Sequence, residues 1–508
     1  MSQIMIDKPY LSARSIKRTS LRFIITSAML ISAPVSAGPW IAPGDSGLRH
    51  DIQLLADYGL ISVPLTTWPL PWADIAAELQ NHSSPSSSAA PIPSSLEATR
   101  QRVLKRLRAE TDRGGVIELG VRASERPLDI RGFENTPRES SEVEVAADWI
   151  GERFAYRLNM TYVDDPDDNK SYRWDGSYLG MSLGNWMVSF GSQARWWGPG
   201  WDGSLILSNN ARPVTGIGIQ RSRSTAFQSP LLSWLGPWNL TLFAGQLESS
   251  RHVSDAKLLG ARVVFKPYSK LEIGLSRTAQ WGGEGRPENA RSLWDLAIGR
   301  DNRGGDITEE NEPGNQLGGY DFRWRSPIGD WPYALYGQFI GEDEAGGAPS
   351  RRFGQVGFEL WFNRLVSRSS VRLIIEYTDT AAKRIEGATP LYDYVYNHAI
   401  YKDGYRYHGR SLGHGYDNDS RGLSAAAVMN FDRHGLYFLL RRAKLNSNDK
   451  GLHSLALSNE TRNLVYLQYS YRFSPVVVQF GLGYEKIEPG VGQSDNNIVA
   501  GLALNYQI

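Results

Sequence analysis

The chain has 508 residues, with 55 Lys+Arg against 54 Asp+Glu, so no net charge draws it to nucleic acid. Cysteine is absent, which excludes a disulfide framework and a thiolate metal site. The 51 glycines, 24 tyrosines and 16 tryptophans favour β structure with many turns.

The first 37 residues read as a secretory signal. Lys8, Arg14, Lys17, Arg18 and Arg22 form a basic region ahead of an apolar stretch, Phe23 to Ala33, that is too short to span a bilayer. Small residues at Val35 to Ala37 offer a cleavage site, so the mature chain is expected to start at Gly38. No later segment approaches the roughly 18 unbroken apolar residues of a membrane helix. Helical spanning is thereby excluded, and a β-barrel is not.

Residues 38–115 are expected to form a periplasmic helical region. "DSGLRHDIQLLADYGLI" sets Leu48, Ile52, Leu55 and Tyr58 on one face, with Gly59 to end the helix. "PLPWADIAAEL" starts a second helix after proline. The Ser/Pro-rich linker "SSPSSSAAPIP" precedes a basic helix, Arg100 to Arg113, opened by a Ser94–Glu97 capping box and striped with Leu96, Val103, Leu104 and Leu107.

From residue 116 to 508 the pattern has period two. "RFAYRLNMTYV" alternates Phe154, Tyr156, Leu158, Met160 and Tyr162 against polar or small residues, and "NLVYLQYSYRF" and "NIVAGLALNYQI" do the same. Segments of about ten residues with one apolar face ending in aromatics match a transmembrane barrel, with lipid outside and a polar lumen. Lumen-facing candidates are Glu118, Glu142, Glu144, Asp148, Arg153 and Arg157. Short turns near Gly151, Asn185, Pro267, Gly329, Arg364, Arg433 and Ser474 alternate with long connections at 124–141, 164–177, 280–318, 341–353, 379–420, 445–461 and 486–495. Between 198 and 237 the alternation requires one more strand, either "GSLILS" or "GIGIQRS". Counting it gives about 18 antiparallel strands with both ends in the periplasm.

"RWWGPGWDG" carries three tryptophans around a Gly-Pro-Gly break. If Trp186, Val188 and Phe190 face lipid, parity puts Trp196 in the aromatic girdle and Trp197 in the lumen. Trp197 and Trp201 then either pack an inward-folded plug or lay flat indole faces on pyranose rings. Asp202, Asn209, Asn210 and Arg212 would hydrogen-bond sugar hydroxyls. The longest loop closes with "YNHAIYKDGYRYHGRSLGHGYDNDSRG", from which Tyr405, Tyr407, His408 and Arg410 join the candidate carbohydrate contacts. His398, His408 and His414 fit no metal-ligand spacing, "DDPDDN" reads as a solvated loop, and no catalytic motif appears, so we expect no metal, cofactor or enzymatic activity.

"PWIAPGDSGLRHDIQLLADYGLISVPLTTWPLPWADI", "RWWGPGWDGSLILSNNARPVTGIGIQRS" and "GYRYHGRSLGHGYDNDS" resemble segments of the Wzi capsule-assembly family of outer-membrane proteins. The resemblance implies an 18-stranded barrel in the outer membrane of a Gram-negative bacterium, a periplasmic helical bundle and a lumen blocked by folded-in loops. It also implies a lectin-like role, holding capsular or exopolysaccharide at the cell surface; we further expect a monomer that meets outer-membrane lipid. A diffusion pore and a surface glycan hydrolase are the rival expectations.

Overall fold

The computed structural model describes residues 40–81, 94–111, 114–298, 314–344, 349–363, 369–384, 387–449 and 451–508. The expected signal segment and the Ser/Pro-rich linker lie outside the described residues.

Three helices come first: α1 (Ser46–Asp57), α2 (Trp72–Asn81) and α3 (Ser94–Thr111). Asp45 caps α1, its side chain accepting from the Leu48 amide at 2.9 Å. Tyr58 falls beyond the helix and is exposed, not part of the apolar face expected of it. The rest of α1 is buried almost all round, because its polar side finds partners in three places: His50 and Asp57 on the lumen wall, Asp51 on Arg102 of α3, and Arg49 on the Pro199 and Gly200 carbonyls.

The chain then enters eighteen barrel strands. On the first side run β1 (Gly114–Ser124), β2 (Ser141–Ile150), β3 (Phe154–Val163), β4 (Tyr178–Leu183), β5 (Trp186–Gly191) and β6 (Gly216–Arg221). These are followed by β7 (Trp238–Gln246), β8 (Lys257–Tyr268), β9 (Leu271–Trp281), β10 (Gly314–Arg325), β11 (Tyr333–Glu344) and β12 (Pro349–Asn363). The last are β13 (Ser369–Arg384), β14 (Arg421–Phe431), β15 (His434–Leu445), β16 (Glu460–Phe473), β17 (Val476–Pro489) and β18 (Asp495–Gln507). Every neighbouring pair is antiparallel, and β18 closes on β1 from Gly501↔Ser124 to Gln507↔Glu118. Closure leaves no unpaired edge, which is what allows strands to stand in hydrocarbon. Leu158, Leu179, Phe190, Leu275, Ile375, Leu423 and Leu482 are exposed on the outside, as a lipid-facing band requires.

The undecided strand is Gly216–Arg221, paired to β5 and β7. "GSLILS" lies buried in the lumen instead. Two expected long loops are short, because β11 and β12 pair out to Glu344↔Pro349 and β17 runs to Pro489. Arg153 is not lumen-facing: it sits exposed in the inner turn between β2 and β3. Glu118, Glu142, Glu144, Asp148 and Arg157 do face inward and join Arg122 in one ion-pair ladder.

The helical region sits inside the barrel mouth. Its core, with Ile52, Leu55, Trp68, Trp72 and Val103, continues into Trp196, Ala334 and Trp361 of the barrel domain. Glu272 on β9 accepts from the Leu65 and Thr66 amides at 2.9 and 2.7 Å, and Asp74 accepts from the Ser224 amide at 2.7 Å. The ladder bonds that close the barrel all lie outside 40–111, so a chain lacking these residues is expected to close and insert. It loses the mouth seal, and we expect a steady planar-bilayer conductance absent from the full chain. A truncated protein that refolds yet conducts no current would show that the outer loops seal the lumen alone.

Candidate functional site

The segment 192–215 between β5 and β6 turns into the lumen. β5 stops at Gly191, whose φ of +149° and close approach to Ser177 and Tyr178 exclude a side chain. Strand parity therefore ends there, and Trp196 is not a girdle residue. It is buried beside Phe133, 5.2 Å between ring centroids, with its Nε1 donating to the Gly200 carbonyl at 3.1 Å. Trp196 and Trp197 pair with Thr67 and Trp68 of the helical region. Gly200 and Gly203 run so close to Gln355 and His414 that a Cβ at either would collide with them. The Gly-Pro-Gly stretch is thus a backbone that must thread between side chains of the wall.

Each end of that stretch is held by charge. Arg49 of α1 donates to the Pro199 and Gly200 carbonyls at 2.7 and 2.8 Å, and its guanidinium lies over the Phe133 and Trp201 rings at 4.4 and 4.0 Å. Trp201 donates from Nε1 to Glu359 at 3.0 Å and from its amide to Glu376 at 2.9 Å. Glu359 and Asp57 in turn pair with Arg323 and Arg372, a buried set of two anions and two cations. Asp202 pairs with Arg441 on β15 and accepts from the Tyr416 hydroxyl at 2.9 Å.

The loop between β13 and β14 completes the plug. The Tyr396 and Tyr405 hydroxyls donate to the Leu205 and Ile206 carbonyls at 2.6 and 2.8 Å. Asn209 donates to the Phe133 carbonyl and Asn210 to the Ser411 carbonyl, both at 3.0 Å. Trp197, Trp201, Asp202, Asn209, Asn210 and Tyr405 are all buried, so in this structure these six offer no surface to a sugar. Burial by the plug lowers the pKa of His414 to about 4 and keeps its ring neutral.

The other four candidates reach the outer surface. Arg406–Tyr407 and Arg410–Ser411 form a two-rung hairpin, turned by His408 and Gly409 at φ +47° and +75°. Its base is fixed by Arg406, which donates to both Asp417 oxygens at 2.8 Å and to the Leu452 carbonyl at 2.9 Å. The Tyr407 and His408 rings lie 4.3 Å apart and are half-exposed. Among the described residues, neither the Tyr407 hydroxyl nor the His408 ring hydrogen-bonds to protein. Arg410 donates to the Asp129 carbonyl at 2.8 Å, and its nearest carboxylates, Asp129 and Asp167, stay 3.9 Å away. Arg212 is spent on Asp168 and Asp175, which anchors the 164–177 loop beside the hairpin.

Sequence reasoning missed Arg49 and Phe133, which join the helices to the plug, and a cavity of about 470 Å³ between plug and the β1–β4 wall. Glu118, Arg122, Glu144, Asp148, Arg157 and Tyr178 line it. No sequence signal marks such a cavity, because its lining comes from distant segments.

The family model described as capsule assembly protein Wzi matches residues 117–497. An uncharacterized 55.8 kDa protein in the cps region of Klebsiella pneumoniae is 35% identical over 342 residues, 66% of this chain and 65% of that protein's own length. The solved structure of Wzi from Escherichia coli, described as a carbohydrate-binding β-barrel outer membrane protein involved in group 1 capsule assembly, superposes with a TM-score of 0.79. It shares 29% identity over 92% of this chain and 99% of that one.

Trp201→Ala is expected to open a cavity and remove one donor from Glu359, lowering stability by about 3–5 kcal/mol, read as a drop in the thermal unfolding midpoint in detergent. An unchanged midpoint would place Trp201 outside the packing that seals the plug. A second expectation concerns Glu134, which accepts from the Ser46 amide at 2.8 Å and from Gln468 at 2.7 Å. Burial, and then the Asp45 carboxylate, push its pKa up from 4.5 to about 7. The folded state therefore holds this proton more tightly than the unfolded chain. The stabilisation is complete below the ordinary glutamate range and is lost as pH rises through about 7. The unfolding midpoint of the wild type should fall across that window, and that of Glu134→Gln should fall less.

Proposed function

The chain belongs to the capsule assembly protein Wzi family, and from that premise we propose that it binds surface polysaccharide and retains it on the cell without chemically altering it. It is an outer-membrane β-barrel. The observation that carries the reading is the outer hairpin: Tyr407, His408 and Arg410 are partly exposed on a base that is buried and hydrogen-bonded. An aromatic pair packs against the C–H face of a pyranose, while the phenol and guanidinium bond its hydroxyls. Asp167, exposed beside Arg410, adds an acceptor.

A single hairpin binds one repeat unit weakly. A long polymer touching many copies of the barrel binds through their summed effect, since each further contact is made at high local concentration. The buried plug supports retention over diffusion, because the lumen is packed by Trp197, Leu205, Ile206 and Tyr405 where a pore would hold water.

Tyr407→Ala and Arg410→Ala are expected to raise the fraction of polysaccharide shed into the medium, with only a small drop in the thermal unfolding midpoint of the barrel from the hairpin contacts they lose. Full retention by a variant carrying both changes would remove the hairpin from the binding surface. New reducing ends on polymer incubated with the purified protein would replace retention with hydrolysis.

A further inference from the structure

The connection that follows β9 is described over residues 282–298. Its described part forms a fourth helix, α4 (Ala290–Ala297), started by Asn289, whose side chain accepts from the Ser292 amide at 3.0 Å. Three contacts place α4 on the outside of the wall. Glu272, Ser276, Thr278 and Gln280 of β9 turn inward, to Leu65 of the helical region, to Arg262 of β8 and to Tyr405 and Gly404 of the plug, so Leu275, Arg277 and Trp281 turn outward. Arg277 donates to the Leu296 and Ala297 carbonyls, both at 2.8 Å, and Trp281 donates from Nε1 to Ser292 at 3.1 Å. Leu296, 3% exposed, packs over Gly314 at the start of β10, where an added Cβ would meet it at 3.1 Å.

At 3.6 residues per turn, α4 has three sides. Ser292 and Leu296 face the wall. Arg291 and Asp295 form a polar side, with the Arg291 side chain 93% exposed. Leu293 and Trp294 form an apolar side, and Trp294 is 64% exposed. That apolar side is continuous with the lipid-facing band, since Leu275 on β9 and Tyr320 on β10 are exposed on the same stretch of wall. A bare guanidinium on the lipid face would be costly. The C-terminus of α4 takes the donors of Arg277, and its partial negative charge faces them.

We propose that α4 is an interfacial helix of the outer leaflet, with acyl chains covering Leu293 and Trp294 and headgroups meeting Arg291 and Asp295. An amphipathic helix in this position lies in the plane of the membrane boundary. It fixes the height and tilt of the outer rim against the lipid surface. The proposal is independent of polysaccharide binding.

Because the chain lacks cysteine, Trp294→Cys carries a single thiol for an environment-sensitive fluorophore, and Arg291→Cys supplies the polar-side control. Each labelled barrel is reconstituted into phosphatidylethanolamine/phosphatidylglycerol vesicles, with and without nitroxide-bearing lipid and with and without lipopolysaccharide. Folding is checked by heat-modifiable gel mobility, and Leu293→Cys replaces Trp294→Cys if that variant fails it. The label at 294 should be blue-shifted and quenched several-fold more by nitroxide lipid than the label at 291, in vesicles of either composition. Equal access of an aqueous quencher to both labels would overturn the proposal. So would shielding of 294 that appears only with protein dimerisation and disappears on dilution, because a second copy would then be the occupant.

Discussion

A ring of 18 strands encloses more space than the side chains of its wall can fill, and the structure follows from filling that space with the chain itself. Each segment drawn inside brings amides and carbonyls away from bulk water, and each needs a partner. Charged side chains supply them. Arg49 serves the Pro199 and Gly200 carbonyls, Arg138 serves those of Asn209, Asn210 and Ala211, and Arg251 serves those of Gly404 and Arg406. Glu272 serves the amides of Leu65 and Thr66, and Glu376 those of Trp201 and Gly203. Part of the lumen's ionisable set is thus the capping set of a plug, while Glu118, Arg122, Glu144, Asp148 and Arg157 pair with one another along the cavity beside it.

Charge used this way has to balance locally. Asp57, Glu359, Arg323 and Arg372 are buried as two anions and two cations, and Trp201 adds a neutral donor to Glu359. Removing one member of such a set leaves an uncompensated buried charge, at about 3–5 kcal/mol. The directional geometry also sets position, since Asp57 belongs to α1, the arginines and Glu359 to the wall, and Trp201 to the plug. Three parts of the molecule meet at one network. Helices in the barrel mouth and loops from the outer surface are thereby held in a single register.

The barrel was legible in the sequence because a lipid face and a polar lumen impose alternation on every strand, and loop lengths alternate with it. Gly216–Arg221 was one of two candidates for the missing strand, and only its pairing with β5 and β7 decides between them. Alternation failed where it was extended past a strand end. Counting through Gly191 puts Trp196 in the girdle, but at Gly191 the chain leaves the wall. The candidate site divides for the same reason. Trp201, Asp202 and Asn210 are polar or aromatic residues in a loop, the composition of a surface site and equally that of a plug. Which one they form depends on partners such as Arg441, Glu359 and Ser411, far away in the chain.

Rigidity under the outer hairpin bears directly on how a weak binder works. Ordering a loop on ligand binding costs about 0.5–1.5 kcal/mol for each immobilised side chain, which a contact with one or two sugar rings does not readily offset. Here the hairpin backbone is already fixed by Arg406 on Asp417, by Asn210 on the Ser411 carbonyl and by Arg410 on the Asp129 carbonyl. That ordering is part of folding, shared with the plug that seals the barrel. On the proposed reading, the tip would meet a polymer with only its side-chain rotamers left to settle, and each ring would retain most of its small contact energy. A sealed lumen and a usable surface are in this sense one construction: the packing that closes the barrel is also what presents Tyr407, His408 and Arg410 in a fixed arrangement.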